Sequence, residues 1–228
     1  MKKVIVISLG GSLIVPKDID IKFLENFKKI INKHKNKYKF VIVTGGGSIA
    51  RKYINALKNS GKSEFLQSMS GISITRLNAR FLNYFFGKDN EEGIPHDMKQ
   101  VKNLLKKNDV IFCGALRYEA NNTSDGTSAK LAKFLKTDFI NLTLVSGLYT
   151  KNPLKYKNAK FIPRISWKDF QKKASAIKFK PGQHFVLDQK AAEIILENKI
   201  KTYILGKNLK NLDNFLLNKK FKGTVIEN

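Results

Sequence analysis

Hydrophobic residues occur in short continuous runs, separated by longer segments in which they recur every three or four positions. The runs are rich in Val and Ile and read KVIVISL, KFVIVTG, DVIFCGA and DFINLTL. The intervening segments have helical spacing and cover residues 18–34, 48–60, 68–86 and 125–136. Runs without polar alternation indicate strands covered on both faces. The alternation predicts βαβ units and an α/β fold, a three-layer α/β/α sandwich with a mainly parallel central sheet.

Beyond about residue 148 the pattern changes to a connection rich in Pro, Lys and Asn, NPLKYKNAKFIP. The helices predicted after it lie near 166–175, 188–199 and 208–218, and the strands are TYILG and GTVIE. We find no internal repeat and no low-complexity linker that would separate independent domains. Residues 1–228 are therefore expected to form one domain of two lobes that share a sheet.

The chain carries 43 Lys and Arg against 18 Asp and Glu, a net charge of +25. Such a surface attracts anions, so nucleic acid is one interpretation of the charge. However, only five of the basic residues are arginine, the lysines are spread over the whole chain, and no known nucleic-acid-binding signature accompanies them. We therefore do not expect nucleic-acid binding to be the main function.

The single cysteine, Cys113, lies within a hydrophobic run, so neither an intramolecular disulfide nor a thiolate zinc cluster can form. This favours a reducing compartment, and we expect a cytoplasmic protein. The first residues are basic and then hydrophobic, but Gly10 and Gly11 interrupt them and no A-x-A site follows. We interpret them as a buried strand, not a signal peptide, and expect no membrane span.

Two glycine clusters stand at the carboxyl ends of predicted strands, Gly10-Gly11-Ser12 and Gly45-Gly46-Gly47-Ser48. Ligands of open α/β sheets gather at that edge. Glycine has no Cβ, so backbone N–H groups can approach phosphate oxygens, and the following helix presents its positive end to them. One such cluster would indicate an ordinary tight turn. Two at equivalent strand ends favour a reaction between two phosphorylated molecules, although neither cluster is a Walker or G-x-G-x-x-G motif.

Longer segments carry a resemblance over nearly the whole chain. They are SLGGSLIVP (8–16), VTGGGSIARKYI (43–54), SEFLQSMSGISITRLNARFL (63–82), NTSDGTSAKLAKFLKTDFIN (122–141), GLYTKNP (147–153) and VLDQKAAEIILENKIKTYILG (186–206). In this order they resemble the amino acid kinase superfamily, and especially archaeal-type UMP kinases (uridylate kinases). The resemblance implies the amino acid kinase fold and transfer of the ATP γ-phosphate to UMP with Mg²⁺, a step of pyrimidine nucleotide biosynthesis. It also implies a homohexamer, an acceptor-binding lobe over about 1–136 and an ATP-binding lobe over about 137–228.

The same resemblance assigns roles to individual residues. Those expected to contact ATP are Gly10, Gly11, Ser12, Gly47, Arg51, Thr143, Tyr149 and Asn152. Those expected to contact UMP are Gly46, Ser68, Gly114, Ala115, Asn121, Asn122 and Thr123. Asp125 is expected to order the transfer site, where Gly10 and Gly11 face the transferring phosphate. No protein metal cluster is expected, and Lys180 is our first candidate for a lysine that neutralises the phosphate.

Two carboxylates allow a second interpretation. Asp125 and Asp188 each precede a helical segment, so each is also a candidate helix N-cap. For Asp125 both roles are compatible, whereas for Asp188 we favour the cap. Arg51 falls in the first turn of a predicted helix, where its guanidinium can pair bidentately with phosphate or remain a solvated surface group.

Three positions depart from the family pattern. Ser68, Ser146 and Asn152 stand where the family carries aspartates, and the loop ALRYEANNT has about two residues more than the corresponding family loop. Serine and asparagine can donate and accept hydrogen bonds but bring no negative charge. The sequence therefore leaves three hypotheses open: a UMP kinase, a fold relative with an altered acceptor, and a nucleotide or anion binder without catalysis.

Overall fold

The computed structural model describes residues 2–88, 93–120, 122–176 and 186–228. Its strands are β1 (Lys3–Leu9), β2 (Tyr38–Thr44), β3 (Val110–Cys113), β4 (Phe139–Leu142), β5 (Leu148–Tyr149), β6 (Phe161–Ile162), β7 (Arg164–Ile165), β8 (Thr202–Leu205) and β9 (Gly223–Ile226). Its helices are α1 (Gly11–Ile14), α2 (Ile21–His34), α3 (Gly47–Asn59), α4 (Glu64–Phe85), α5 (Met98–Lys107), α6 (Ser124–Leu135), α7 (Trp167–Ser175), α8 (Gln189–Glu197) and α9 (Leu209–Leu216).

The central sheet contains seven strands in the order β3-β2-β1-β4-β8-β9-β7. The five strands from β3 to β8 are parallel to their neighbours, whereas β9 runs antiparallel to β8 and parallel to β7. The predicted α/β fold with a mainly parallel sheet is therefore confirmed. Strands β1–β3 precede residue 136 and the others follow it, so one sheet connects both halves of the chain. The division into two lobes stays a prediction.

Helices cover both faces of this sheet. Along β1, Ile5, Ile7 and Leu9 face one hydrophobic core and Val6 faces the other, because successive strand side chains point to opposite sides. Helices α2, α4 and α9 contribute to the first core, and α5, α6, α7 and α8 contribute to the second. This two-sided burial explains why the strand sequences lack polar alternation.

Helix α4 begins earlier than its hydrophobic spacing predicts. The predicted start was residue 68, but the helix starts at Glu64 because the hydroxyl of Ser63 accepts a hydrogen bond from Leu66 N at 3.4 Å. Its 22 residues make it the longest helix in the described parts of the chain. Helix α2 starts later than predicted, at Ile21, since Asp20 caps it through Phe23 N at 3.0 Å.

The sequence prediction missed the short elements α1 and β7, helix α5, and the small sheet formed by β5 and β6. Helix α5 has only ten residues, most of them polar, and Asp97 caps it by accepting from Gln100 N at 2.9 Å. Strands β5 and β6 have two residues each and pair antiparallel. Two-residue strands have too few positions for a period to show, so only their tertiary contacts define them. In α5, by contrast, Met98, Val101, Leu104 and Leu105 recur with helical spacing, so the prediction overlooked a signal that the sequence carries.

Candidate active site

The two glycine turns lie directly against each other. Strands β1 and β2 are neighbours with Leu9 opposite Thr44, so the turns that follow them meet at the same edge of the sheet. A Cβ atom on Gly11 would lie 2.0 Å from Gly47 N, and one on Gly47 would lie 2.5 Å from Gly11 O. Gly47 also has a φ of +67°, a conformation that favours glycine. Backbone packing therefore requires these glycines, whatever ligand they contact.

A cleft opens beside these turns, at the carboxyl ends of the parallel strands. It brings together most of the residues that the sequence assigns to a site: Gly10, Gly11, Ser12, Gly46, Gly47, Arg51, Ser68, Ala115, Asn122, Thr123, Asp125 and Thr143. These residues come from both halves of the chain. The cleft therefore offers one continuous surface to the two ligands expected on either side of the glycine turns.

Three assigned residues lie outside the cleft lining in the described chain. Gly114 lies behind the cleft wall, where a Cβ would come within 2.5 Å of Arg76 N. The ring of Tyr149 packs edge to face on Phe161 with centroids 5.4 Å apart. Asn152 accepts from Leu154 N at 2.9 Å through its side-chain oxygen.

None of Gly114, Tyr149 and Asn152 lines the cleft in the described parts of the chain. Asn121 and the candidate Lys180 lie outside the described residues. The roles assigned to all five therefore stay predictions.

Two carboxylates meet at the sheet end of the cleft. Asp125, in the first turn of α6, accepts a hydrogen bond from Ser8 Oγ at 2.8 Å. Asp188 caps α8 by accepting from Ala191 N at 2.6 Å, and it also accepts from the hydroxyl of Thr123. Thr123 in turn accepts from Asp125 N at 3.1 Å, so its hydroxyl connects the starts of α6 and α8. Asp188 is thus the cap that we favoured, and it also lines the cleft.

Burial raises the pKa of Asp125 to about 7, and the negative charge of Asp188 adds to the rise while the Ser8 hydrogen bond opposes it. Burial also raises the pKa of Asp188, which is only 3% exposed, against the opposing hydrogen bonds from Thr123 and backbone N–H groups. Two acids this close cannot both ionise easily. The pair therefore holds a proton more readily than isolated aspartates do.

Arg51 supplies positive charge to the cleft. It lies in α3, one turn after the second glycine cluster, and donates to Ser12 Oγ from Nη1 at 3.4 Å. Partial burial lowers the pKa of its guanidinium, which still stays charged near neutral pH. Within the described chain it is the cationic side chain that lines the cleft, and the N-terminus of α3 points to the same space.

Helix α4 lines the cleft with residues from Ser68 to Thr75 and holds the turns in place. Asn78 donates to Gly45 O at 2.7 Å, and Arg76 Nε donates to Ala115 O at 3.1 Å. Thr75 Oγ1 accepts from Ala115 N at 2.9 Å. The segment ITRLNA belongs to the family resemblance, but the sequence by itself indicates no role for these residues. Their partners lie more than thirty positions away, so only the fold shows what they do.

The cleft has carboxylate oxygens that could bind a magnesium ion arriving with a nucleotide. The described residues include no group of three or more His, Cys, Asp or Glu side chains able to hold a metal on their own. Mg²⁺ commonly binds one or two protein carboxylates together with substrate phosphates. Asp125 and Asp188 fit that requirement.

Fold and site together define an α/β/α protein with paired glycine turns and an acidic pair at the carboxyl edge of its sheet. The sequence profile of the amino acid kinase family matches residues 3–206. The chain therefore belongs to the amino acid kinase family, and the resemblance inferred from its motifs is confirmed.

Relatives match over the full length. The uridylate kinase of Thermoplasma volcanium is 34% identical over 228 residues, covering 100% of this chain and 99% of that one. The uridylate kinase of Thermococcus kodakarensis is 33% identical over 224 residues, covering 98% and 99%. The crystal structure of uridylate kinase from Archaeoglobus fulgidus superposes with a TM-score of 0.83 at 32% identity, covering 99% of this chain and 100% of that one. In the described parts of our chain, no helix has the length and apolar character needed to span a bilayer.

The raised pKa of Asp125 predicts how stability depends on pH. The folded protein keeps this proton up to about pH 7, whereas an ordinary aspartate loses it near 3.8. The folded state therefore binds more protons over this window, and the free energy of unfolding should fall as pH rises through it. In Asp125→Asn, the free energy of unfolding should decrease by about 1–2 kcal/mol less over the same pH range than in wild type. This difference is smaller than the full pKa shift implies, because solvent in the cleft screens the charge. Urea unfolding of both proteins at several pH values measures this, and parallel profiles would contradict it.

Proposed function

We propose that this protein is a UMP kinase, which transfers the γ-phosphate of ATP to UMP and gives ADP and UDP. The proposal is carried by one observation: most of the residues assigned to ATP and to UMP line a single cleft in a chain that matches uridylate kinases from end to end. We further propose that Mg²⁺ accompanies ATP, that the protein is cytoplasmic, and that it serves pyrimidine nucleotide biosynthesis.

The chemistry needs alignment and charge neutralisation more than covalent catalysis. The attacking atom is a phosphate oxygen of UMP, which is already ionised near neutral pH, so no general base has to remove a proton. The two phosphates would meet over the glycine turns, where a backbone without Cβ atoms lets N–H groups approach. Arg51 and the N-terminus of α3 add positive charge on that side.

The acidic pair would serve the site in two ways. Asp188 and Thr123 fix the start of α6, and with it the orientation of Asp125 towards the cleft. The raised pKa of both acids lowers their negative charge, so they repel the phosphates less than two ionised carboxylates would. A bound Mg²⁺ would neutralise phosphate charge beside these oxygens.

Nucleotide-dependent ADP release tests the function. Purified protein is given Mg-ATP with UMP, CMP, AMP or no acceptor, and ADP is measured by a coupled assay. We expect release that depends on UMP, which would also show that Ser68, Ser146 and Asn152 are compatible with activity. No release with any acceptor, from a protein that nucleotides still stabilise against heat, would contradict the kinase and indicate a nucleotide binder.

Replacing Arg51 should weaken the reaction without unfolding the protein. Arg51→Met removes a cation from the cleft, and we expect kcat/KM for ATP to fall about 10- to 100-fold, as for loss of a charge-assisted hydrogen bond. Arg51→Lys should retain part of the rate, because a lysine keeps the charge but not the bidentate geometry. Arg164→Met is the matched control, since Arg164 is exposed and pairs with Glu227 away from the cleft. Equal kinetics for Arg51→Met and wild type would exclude the phosphate role.

We also propose that the chain forms a homo-oligomer, a hexamer by family resemblance, through the outer face of α4. Leu66, Leu77 and Tyr84 are 45%, 55% and 58% exposed on this helix. Their spacing of eleven and seven residues places them on one side of the helix. These three large apolar side chains, with the exposed Ser73 and Arg80 between them, would suit a mixed surface that another chain covers.

Light scattering on wild-type protein should therefore give the mass of six chains, and Leu77→Glu should give a smaller species. A charge within an apolar interface is not solvated, so it should weaken association. Leu154→Glu places the same charge at a leucine that is 73% exposed on a different part of the surface, and it should leave the mass unchanged. A monomeric wild-type protein would contradict the proposal.

A further inference from the structure

Two exposed aromatic rings contact each other next to the cleft, although neither is among the residues that line it. Phe65, in the first turn of α4, and Tyr118, in the loop after β3, contact edge to face with ring centroids 4.8 Å apart and planes at 82°. They remain 49% and 40% exposed. Aromatic rings that pack together but keep this much surface free can still contact another flat group.

The position of Phe65 along α4 shows how far the ring pair lies from the glycine turns. Gly46 lies against Gly71, because a Cβ on Gly46 would be 3.8 Å from Gly71 O. Phe65 lies six residues before Gly71, which corresponds to roughly 9 Å along the helix axis. Ser68 lines the cleft between these two points. Moving along α4 away from the glycine turns therefore leads past Ser68 to the ring of Phe65.

The loop that carries Tyr118 is held from several sides. Arg76 donates to Ala115 O at 3.1 Å and also to Leu116 O. The two neighbours of Tyr118 in sequence form ion pairs with other helices: Arg117 with Asp97 at 3.7 Å, and Glu119 with Lys130. Contacts on both sides of Tyr118 thus fix the segment that turns this ring towards α4.

We propose that Phe65 and Tyr118 form an aromatic wall that contacts the base of the nucleotide acceptor and determines which base is accepted. This inference rests on the proposed function, since it requires a nucleoside monophosphate whose phosphate lies at the glycine turns. A base extending from there along α4 passes Ser68 and reaches the free faces of the two rings. Base–aromatic contacts are favourable for any flat base, so the wall selects by the space it leaves.

Kinetics of Tyr118→Ala and Phe65→Ala test the wall. Each change should raise KM for UMP by about three- to tenfold, with kcat and the KM for ATP nearly unchanged, because only contacts to the acceptor base are lost. The preference for UMP over AMP should decrease, since removing a ring makes room for the larger base. Tyr118→Phe keeps the ring and should behave as wild type. The double variant should add little to either single change, because the two rings act as a pair.

Two controls separate this role from a structural one. Phe134→Ala removes a ring of the same 40% exposure from the last turn of α6 and should leave the KM for UMP unchanged. Thermal unfolding of each variant shows whether the fold is retained. An unchanged KM for UMP and an unchanged base preference in both alanine variants would overturn the proposal. An equal rise in the KM for ATP would also overturn it.

The test also distinguishes this inference from the proposed function. If wild-type protein releases no ADP with UMP, the kinase function is contradicted. Calorimetric titration with UMP and AMP then tests whether the two rings contact the base. Weaker UMP binding in Tyr118→Ala and Phe65→Ala, with wild-type binding in Tyr118→Phe, would still support it. Binding that the alanine changes leave unaltered, or no binding by the wild type, would overturn it.

Discussion

The contact between the two glycine turns places every other part of the site. Gly11 and Gly47 meet backbone to backbone at the ends of adjacent parallel strands, and any side chain at either position would force the turns apart. Helix α3 begins at one turn and α1 at the other, while Asn78 of α4 hydrogen-bonds the carbonyl of Gly45. The position of these helices, and of Arg51 on α3, therefore depends on a contact that only glycine permits.

The acidic pair is the second constraint, because it buries two carboxylates at the same edge of the sheet as the turns. Burying Asp125 and Asp188 is unfavourable for their ionised forms, and hydrogen bonds from Ser8, Thr123 and a helix N-terminus compensate only in part. The resulting rise in pKa leaves the edge of the sheet less negative than its two acids suggest. Together with Arg51 and the α3 N-terminus, this suits a cleft that must bring two phosphates together.

Much of the fold could be predicted from the hydrophobic pattern because the principal strands are buried on both faces and most helices are amphipathic. Prediction failed where that signal was short. Strands β5 and β6 have two residues each, whereas α5 carries a helical period at Met98, Val101, Leu104 and Leu105 that the prediction overlooked. The start of α4 depends on a cap at Ser63, and a cap is decided by one side chain instead of a period.

The same distinction between local and tertiary signals applies to the site. The sequence by itself determined the two glycine turns, since glycine clusters after buried strands are a local signal, whereas Arg51 and Asp125 were assigned through the family resemblance. It could not show that Thr123 bonds Asp188 across 65 positions, or that Ser8 bonds Asp125 across 117. The role of α4 and the meeting of Phe65 with Tyr118 likewise became visible only in the fold. Hydrogen bonds and ring contacts form between atoms a few ångströms apart, and tertiary structure alone decides which distant residues come that close.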